Sequence, residues 1–361
     1  MELRGPKSPI PKGRPVDPAQ AETALNVALN HGINLIDTSI DYGESEGLIG
    51  RFISHRRNEF LLASKCGCNA DTDAVEAGKA PRHIYTRENI INGVELSLKR
   101  LNTDYLDLLQ FHGSPPPEFR EEAVQALLDL KRDGKTRFIG VSDVLPTVAH
   151  FVDMRVFDAF QFPYSALDSA HESLITQLGQ FGVGTLIRGG IARGEPGHGL
   201  ADPTLWGNWD LANLDELLDG MNRFEFLLRY TISHPDLSTT IIGSMNPDHI
   251  RRNVTAAGRG PLSARPWQSS RTLPAARCPG RRGAGVSMGS PAPLLLRPAA
   301  AAAPSAARAG CRTVRTVTVG SARQRHGRRP MHLVTEDLHM QINTVNPLTM
   351  LGKASPLGNV P

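Results

Sequence analysis

Four side chains of complementary chemistry stand at or just beyond the ends of short apolar runs: Asp37 closes NLID, Lys65 closes FLLASK, His112 closes LDLLQFH, and Tyr42 follows Asp37 by five residues in DTSIDYG. A Lys ammonium beside a Tyr hydroxyl favours tyrosinate and lowers the phenol pKa from about 10. A carboxylate at Asp37 would hold Lys65 charged and in place, and the His112 imidazole can hydrogen-bond a carbonyl oxygen. As a unit the four donate a proton to a developing alkoxide. Taken singly each has an ordinary structural role: a loop cap, a packed turn ring, a solvated amine, a satisfied core imidazole. Lys65 alone also allows a Schiff-base barrel lyase, although a Lys beside an Asp stays charged and is then a poor nucleophile.

The four can meet only if the runs that carry them are parallel strands opening on one rim. Between Pro18 and Ala257 short apolar runs alternate with segments of helical period, the pattern of repeated βα units. Seven strands are predicted at 34–37, 60–65, 106–112, 137–141, 159–162, 185–187 and 239–242. Eight helices are predicted at 18–31, 45–54, 86–101, 118–133, 146–156, 170–181, 210–234 with a break, and 246–257. Such units closing on themselves make an α/β fold of the (β/α)8 TIM barrel class, whose active site lies at the C-terminal strand ends. No G-x-G-x-x-G follows any strand, which disfavours a Rossmann sheet. Residues 1–17, with four prolines, offer no convincing strand, so the expected barrel over 18–262 lacks its first strand.

Charge divides the chain in the same place. Residues 1–254 carry 25 basic and 34 acidic side chains, whereas 255–361 carry 15 basic side chains, 14 of them Arg, and only Glu336 and Asp337 as acids. The net charge of +4 therefore belongs to the tail. Residues 263–361 read as a low-complexity basic tail, too poor in apolar residues to build a core and expected to be disordered. A stretch rich in Arg, Ala and Pro without acids is also what a GC-rich gene read in a shifted frame encodes, so the alternative reading is a catalytically defective, truncated or frame-shifted barrel. The tail has no aromatic platforms, so no specific nucleic-acid partner is expected, only salt-sensitive attraction. No apolar run is long enough for a membrane and no signal peptide is legible, which predicts a cytoplasmic protein. Of Cys66, Cys68, Cys278 and Cys311, the C-x-C pair has no second Cys/His pair at ligand spacing, and no metal is expected.

The runs GINLIDTSIDYGESEGLIGRFI, FLLASKCG, TRENIINGVELSLKRLNTDYLDLLQFHG, GKTRFIGVSD, FDAFQFPYSALD and TTIIGSMNPDHIRRNV occur in order, and together they resemble the aldo/keto reductase superfamily over about residues 18–262. The resemblance implies that Asp37, Tyr42, Lys65 and His112 are the family's catalytic tetrad, with Tyr42 the proton donor and hydride supplied by NADP(H), NAD(H) being the alternative. It implies that Ser142 of GVSD and Gln161 contact the nicotinamide carboxamide. Asp143 stands where the family usually has Asn, and Arg188 stands where many members have a stacking Tyr; a guanidinium can stack or meet the pyrophosphate. Gly243, opening a strand-to-helix junction, can hold phosphate on backbone N–H groups and the helix dipole. Ser244, Met245, Asn246, His249 and Asn253 fall on the family's adenosine-phosphate segment, with Arg251 and Arg252 adding positive charge. The expected substrate is a small aldehyde or ketone, its identity set by loops such as 68–82 and 194–209. Trp206 and Trp209 either line that mouth or pack against the barrel.

Overall fold

The computed structural model describes residues 16–71, 74–75, 77–192, 194 and 201–263, with the backbone of 339–342. The expectations about residues 1–15 and about the tail apart from 339–342 lie outside the described residues.

Seven parallel strands run in sequence order around a barrel: β1 (Leu35–Asp37), β2 (Leu61–Cys66), β3 (Leu106–His112), β4 (Thr136–Ser142), β5 (Ala159–Pro163), β6 (Gly184–Arg188) and β7 (Thr239–Ile242). All seven match the predicted runs within two residues. An uninterrupted buried pattern in β1, β2 and β7 is what a sheet covered on both faces requires. The ring position between β7 and β1, where an eighth parallel strand would stand, is taken by β8 (His339–Ile342), which pairs antiparallel with both neighbours. The physical reason lies in the backbone: a gap of one strand leaves two rows of unpaired N–H and C=O groups, and any extended segment can satisfy them.

Nine helices are described around the strands. They are α1 (Pro18–Asn30), α2 (Ser45–Ile53), α3 (Arg87–Leu101), α4 (Pro117–Arg132), α5 (Ala149–Asp153), α6 (Glu172–Gln180), α7 (Pro203–Leu211), α8 (Arg223–Thr231) and α9 (Pro247–Gly258). Their starts are chemically marked. Asp17 accepts the Ala19 N–H ahead of Pro18, and Thr86 accepts the Asn89 N–H, each supplying a partner for a backbone donor the helix cannot use. On α1, Ala21, Ala24, Leu25, Ala28 and Leu29 form the buried stripe that binds the helix to the barrel.

The predicted helix over 210–234 is corrected to two, α7 and α8, joined by a single 3₁₀ turn at Leu214–Leu217. Left-handed backbone at Asn213, just past α7, and at Asp219 and Gly220, just past the 3₁₀ turn, separates the two helices, and the Asn222 side chain, accepting the Glu225 N–H, starts the second. Trp206 and Trp209 are buried and face each other with centroids 5.5 Å apart, their indole N–H groups donating to Gly194 O and Asp215 Oδ1. They pack rather than line a mouth.

Two glycines on α2 give a paired test of this packing. A Cβ at Gly50 would lie 2.1 Å from Arg100 O and 2.8 Å from the Leu101 carbonyl carbon, whereas at Gly47 it would meet nothing within 4 Å. Gly50→Ala should destabilise the fold by about 3 kcal/mol or more through overpacking against α3. Gly47→Ala should stabilise it by about 0.5–1 kcal/mol, because Ala loses less freedom in a helix. Urea unfolding midpoints that move in opposite directions check both.

Candidate active site

Every strand end that carries a predicted residue opens on the same rim. Asp37 is the last residue of β1, Lys65 lies one residue before the end of β2, His112 ends β3, Ser142 ends β4 and Arg188 ends β6. The register confirms the level: Asp37 pairs with Ala63, Lys65 with Gln110, His112 with Ser142, and Ser142 with Gln161.

At the centre Lys65 Nζ is ion-paired with Asp37 Oδ2, and the two side chains are 1% and 0% exposed. Nζ also donates to Thr38 O at 2.9 Å. The other carboxylate oxygen, Oδ1, accepts from Gln110 Nε2 at 2.9 Å and from Gln161 Nε2 at 3.2 Å. Burial is the largest influence on the Lys65 ammonium and pushes it toward neutrality, but the Asp37 charge and hydrogen bond, together with Tyr42 and Asp41, outweigh it and raise its pKa above the ordinary lysine value. A buried, paired ammonium has no lone pair to offer, so the Schiff-base reading loses its nucleophile. Lys65 Nζ lies 5.1 Å from the Tyr42 ring centroid, within cation–π range, and the Tyr42 and His112 rings meet edge to face at 5.6 Å.

His112 is held from the side of Nδ1. Asp41 Oδ1 lies 3.2 Å away, Ser39 Oγ 3.3 Å and Cys68 Sγ 3.0 Å. Asp41 is fixed in turn, accepting from Ser39 Oγ at 2.6 Å and from Arg82 Nη2 at 2.9 Å. Burial, helped by the Lys65 and Arg82 charges, lowers the His112 pKa more than Asp41 raises it, so the ring is neutral at neutral pH. Burial would raise the Asp41 pKa, but His112, Ser39 and Arg82 outweigh it and hold the carboxyl well below its usual range. The Cys68 thiol is pushed up, by burial first and then by the Asp41 charge.

Toward the other side of the rim, Ser142 Oγ donates to Gln161 Oε1 at 2.7 Å. Asp143 is bound to its own loop: Oδ2 accepts the Ser114 N–H and Oδ1 the Val144 N–H, both at 2.8 Å. Arg188 is half-buried beside His171, whose Nε2 accepts the Leu145 N–H at 2.9 Å while its ring stacks on Phe162. After β7, Gly243 and Ser244 lead to Asn246, the N-cap of α9, whose side chain accepts the Asp248 N–H. Ser244 Oγ accepts from Asn246 N at 3.0 Å and lies 3.1 Å from His249 Nδ1. Met245 is buried, with Gln20 Nε2 donating to its carbonyl, and Asn253 is half-buried on α9. Arg251 pairs with Asp248 at 2.7 Å, and Arg252 Nε donates to Asp248 O. The structure thus brings Asp37, Tyr42, Lys65, His112, Ser142 and Gln161 into one connected cluster, and sets the 243–253 group apart at the mouth of β7.

Sequence reasoning did not single out Gln110, Asp41, Ser39 or Arg82, and it weighed Cys68 only as half of the C-x-C pair. Gln110 had a legible signal, being the one uncharged polar residue within the apolar run LDLLQFH. Arg82 had none, since its partner is 41 residues away.

His171 carries a pH prediction. Burial holds its pKa below the usual histidine value, so between that value and about 6.5 the unfolded chain binds more protons than the folded one and stability rises with pH. Protonation also removes the lone pair that accepts Leu145 N–H. Unfolding free energy should therefore fall as pH drops below about 6.5, and the fall should be shallower in His171→Phe. Equal slopes in denaturant titrations at stepped pH would contradict this.

Comparison with known proteins agrees with the architecture. The aldo/keto reductase family profile matches residues 7–194, more than half of the chain. An uncharacterized oxidoreductase, YqkF of Bacillus subtilis, is 28% identical over 255 residues, spanning 66% of this chain and 82% of its own. The NADH-specific methylglyoxal reductase of Escherichia coli is 28% identical over 258 residues, spanning 62% of this chain and 78% of its own. Among solved structures, the holo form of an aldo-keto reductase from Bacillus halodurans superposes with a TM-score of 0.62 at 28% identity, covering 71% of this chain and 87% of that one. No described helix is long and apolar enough to cross a membrane. A parallel barrel with one polar rim and a profile match over most of that barrel lead to one assignment: the chain belongs to the aldo/keto reductase family and is an oxidoreductase of the nicotinamide-dependent kind.

Proposed function

We propose that the protein reduces a small aldehyde or ketone to the alcohol with NADPH, Tyr42 supplying the proton. The observation that carries this reading is the buried Lys65–Asp37 pair beneath the Tyr42 ring, with the neutral His112 ring edge-on to that tyrosine. A fixed ammonium next to a phenol stabilises the phenolate left when the proton departs. Asp37 and Thr38 O hold that ammonium in place, and His112 is oriented through Asp41 to hydrogen-bond the carbonyl oxygen as charge develops on it.

The donor set suits a nicotinamide cofactor. Ser142 hydroxyl and Gln161 amide, side by side on the rim, match a carboxamide, which needs one donor and one acceptor. The half-buried Arg188 suits the pyrophosphate, and the N-terminus of α9 with Gly243, Ser244, Asn246, His249 and Asn253 suits an adenosine phosphate. Asp143, committed to the Ser114 and Val144 amides, supports the loop beneath. When bound, the cofactor supplies the hydride. We favour NADPH because Arg251 and Arg252 outnumber the one carboxylate, Asp248, on the exposed first turns of α9. NADH is the alternative, the cofactor named for the Escherichia coli relative. The partner is a small carbonyl compound rather than nucleic acid or a membrane surface. The two barrel cysteines, both free thiols, suit the cytoplasm.

The test is oxidation of NADPH and of NADH, followed by absorbance, with a panel of small aldehydes, ketones and 2-oxoaldehydes. Turnover is expected with at least one carbonyl class and faster with NADPH. No oxidation of either nucleotide would overturn the activity and favour the catalytically defective reading; faster NADH turnover would overturn the cofactor preference alone.

A further inference from the structure

The expectation of no metal rested on ligand spacing along the chain, but the barrel gathers donors from three separate strand ends. Asp41, Cys68 and His112 each offer one ligand atom, and the three atoms all lie within 4.8 Å of one another. Two of those separations are 3.0 Å, Sγ to Nδ1, and 3.2 Å, Oδ1 to Nδ1. Ser39 Oγ faces all three atoms, 2.6 Å from Asp41 Oδ1, 3.3 Å from His112 Nδ1 and 4.0 Å from Cys68 Sγ. Asp41 and Cys68 are almost wholly buried. A single ring nitrogen carries at most one proton, yet three heteroatoms crowd Nδ1. A cation at their common centre would give every one of them a partner. A second observation lies next door: His83, bridged to Cys68 through the backbone, places its ring 5.9 Å from that of His112 and has a buried Nδ1 with no hydrogen-bond partner.

We propose that Asp41, Cys68 and His112 form a binding site for a zinc-class divalent transition-metal ion. The donor types select the metal. Thiolate and imidazole are zinc and cobalt ligands, whereas Mg²⁺ and Ca²⁺ take oxygen alone. Ligand atoms around tetrahedral zinc stand about 3.3–3.8 Å apart, so the cluster needs movements of an ångström or less. On binding, the thiol proton leaves to solvent. One thiolate and one carboxylate then cancel the double positive charge, which makes a neutral complex suited to a buried place. Arg82 orients Asp41 from its other oxygen, the kind of outer contact that metal ligands use. Three protein ligands leave the fourth position to the Ser39 hydroxyl or water. A metal on Nδ1 also fixes the proton of the neutral His112 ring on Nε2, so occupancy sets the tautomer of a residue on the active rim.

The test is a Co²⁺ titration of full-length protein carrying Cys278→Ser and Cys311→Ser, so that Cys66 and Cys68 are the only thiols. One equivalent should produce thiolate-to-cobalt charge-transfer absorption, which Zn²⁺ abolishes by displacement and Mg²⁺ leaves intact. Cys68→Ser should remove the band, Cys66→Ala should keep it, and Asp41→Asn should weaken binding at least about tenfold. Absence of the band in the parent protein overturns the proposal whatever the variants do, and so does a band that survives Cys68→Ser. Because the readout is spectroscopic, it stands apart from the outcome of the reductase assays.

Discussion

Tyr42→Phe should lower kcat by about 10²–10⁴-fold, the range for loss of a positioned general acid, while leaving NADPH affinity within a few-fold of the parent. The substitution removes one oxygen and nothing else. The ring is buried, meets His112 edge to face and lies 5.1 Å from Lys65 Nζ, contacts that a phenylalanine ring reproduces. The cofactor contacts proposed above, Ser142, Gln161 and the α9 segment, do not involve the phenol, so the loss is expected in kcat rather than in cofactor affinity. Steady-state rates beside fluorescence titration with NADPH separate the two. Turnover within a few-fold of the parent would transfer the proton-donor role to His112 or to water.

The second large effect concerns the Lys65–Asp37 pair, where stability and activity can be pulled apart. Lys65→Met leaves a carboxylate with 0% exposure that has lost its ammonium, with the Gln110 and Gln161 amides still donating to it. Removing one member of a buried ion pair costs about 3–5 kcal/mol, and the denaturation midpoint should fall accordingly. Adding Asp37→Asn to the same protein removes the uncompensated charge and should restore most of that stability, while turnover stays lost because no ammonium remains beside Tyr42. Recovery of turnover in the double variant would show that the pair serves the fold alone. A single variant as stable as the parent would show that water reaches Asp37.

The order of elements was legible because each strand is a short, mostly apolar run and several helices, α1, α3, α7, α8 and α9, begin on a capping side chain. That is local information, and it survives into the barrel. The joint between α7 and α8 was legible only as a break, since the left-handed residues Asn213 and Asp219 carry ordinary side chains. Asp37, Tyr42, Lys65 and His112 stood out because a polar residue just beyond an apolar strand points at the rim of a barrel. Gln110 faces the same Asp37 from within β3; as an uncharged polar residue in that run it is visible in the sequence, but its partner is not until register sets it opposite Lys65. The Asp41–Cys68–His112 grouping was beyond reach for the same reason, since strand order and not chain spacing brings it together. Asp143 shows the converse. Its place in the chain marks it only as the neighbour of Ser142, and the fold shows its two oxygens accepting the Ser114 and Val144 N–H groups of the adjoining loops.

Gln161 accepts from Ser142 at one end of its amide and donates to Asp37 at the other. An amide is planar and rigid, so both ends turn together. A carboxamide arriving at Ser142 and Gln161 therefore exchanges one hydrogen bond for another instead of adding one, and the net gain from these two residues is on the order of 1 kcal/mol or less. Their contribution is selectivity by default: a ligand that breaks the Ser142–Gln161 bond without replacing both partners leaves buried polar groups unpaired, at about 1–3 kcal/mol each. Any rotation of the Gln161 amide that accompanies binding is also felt at Asp37, which makes the ionic core a listener to what occupies the rim.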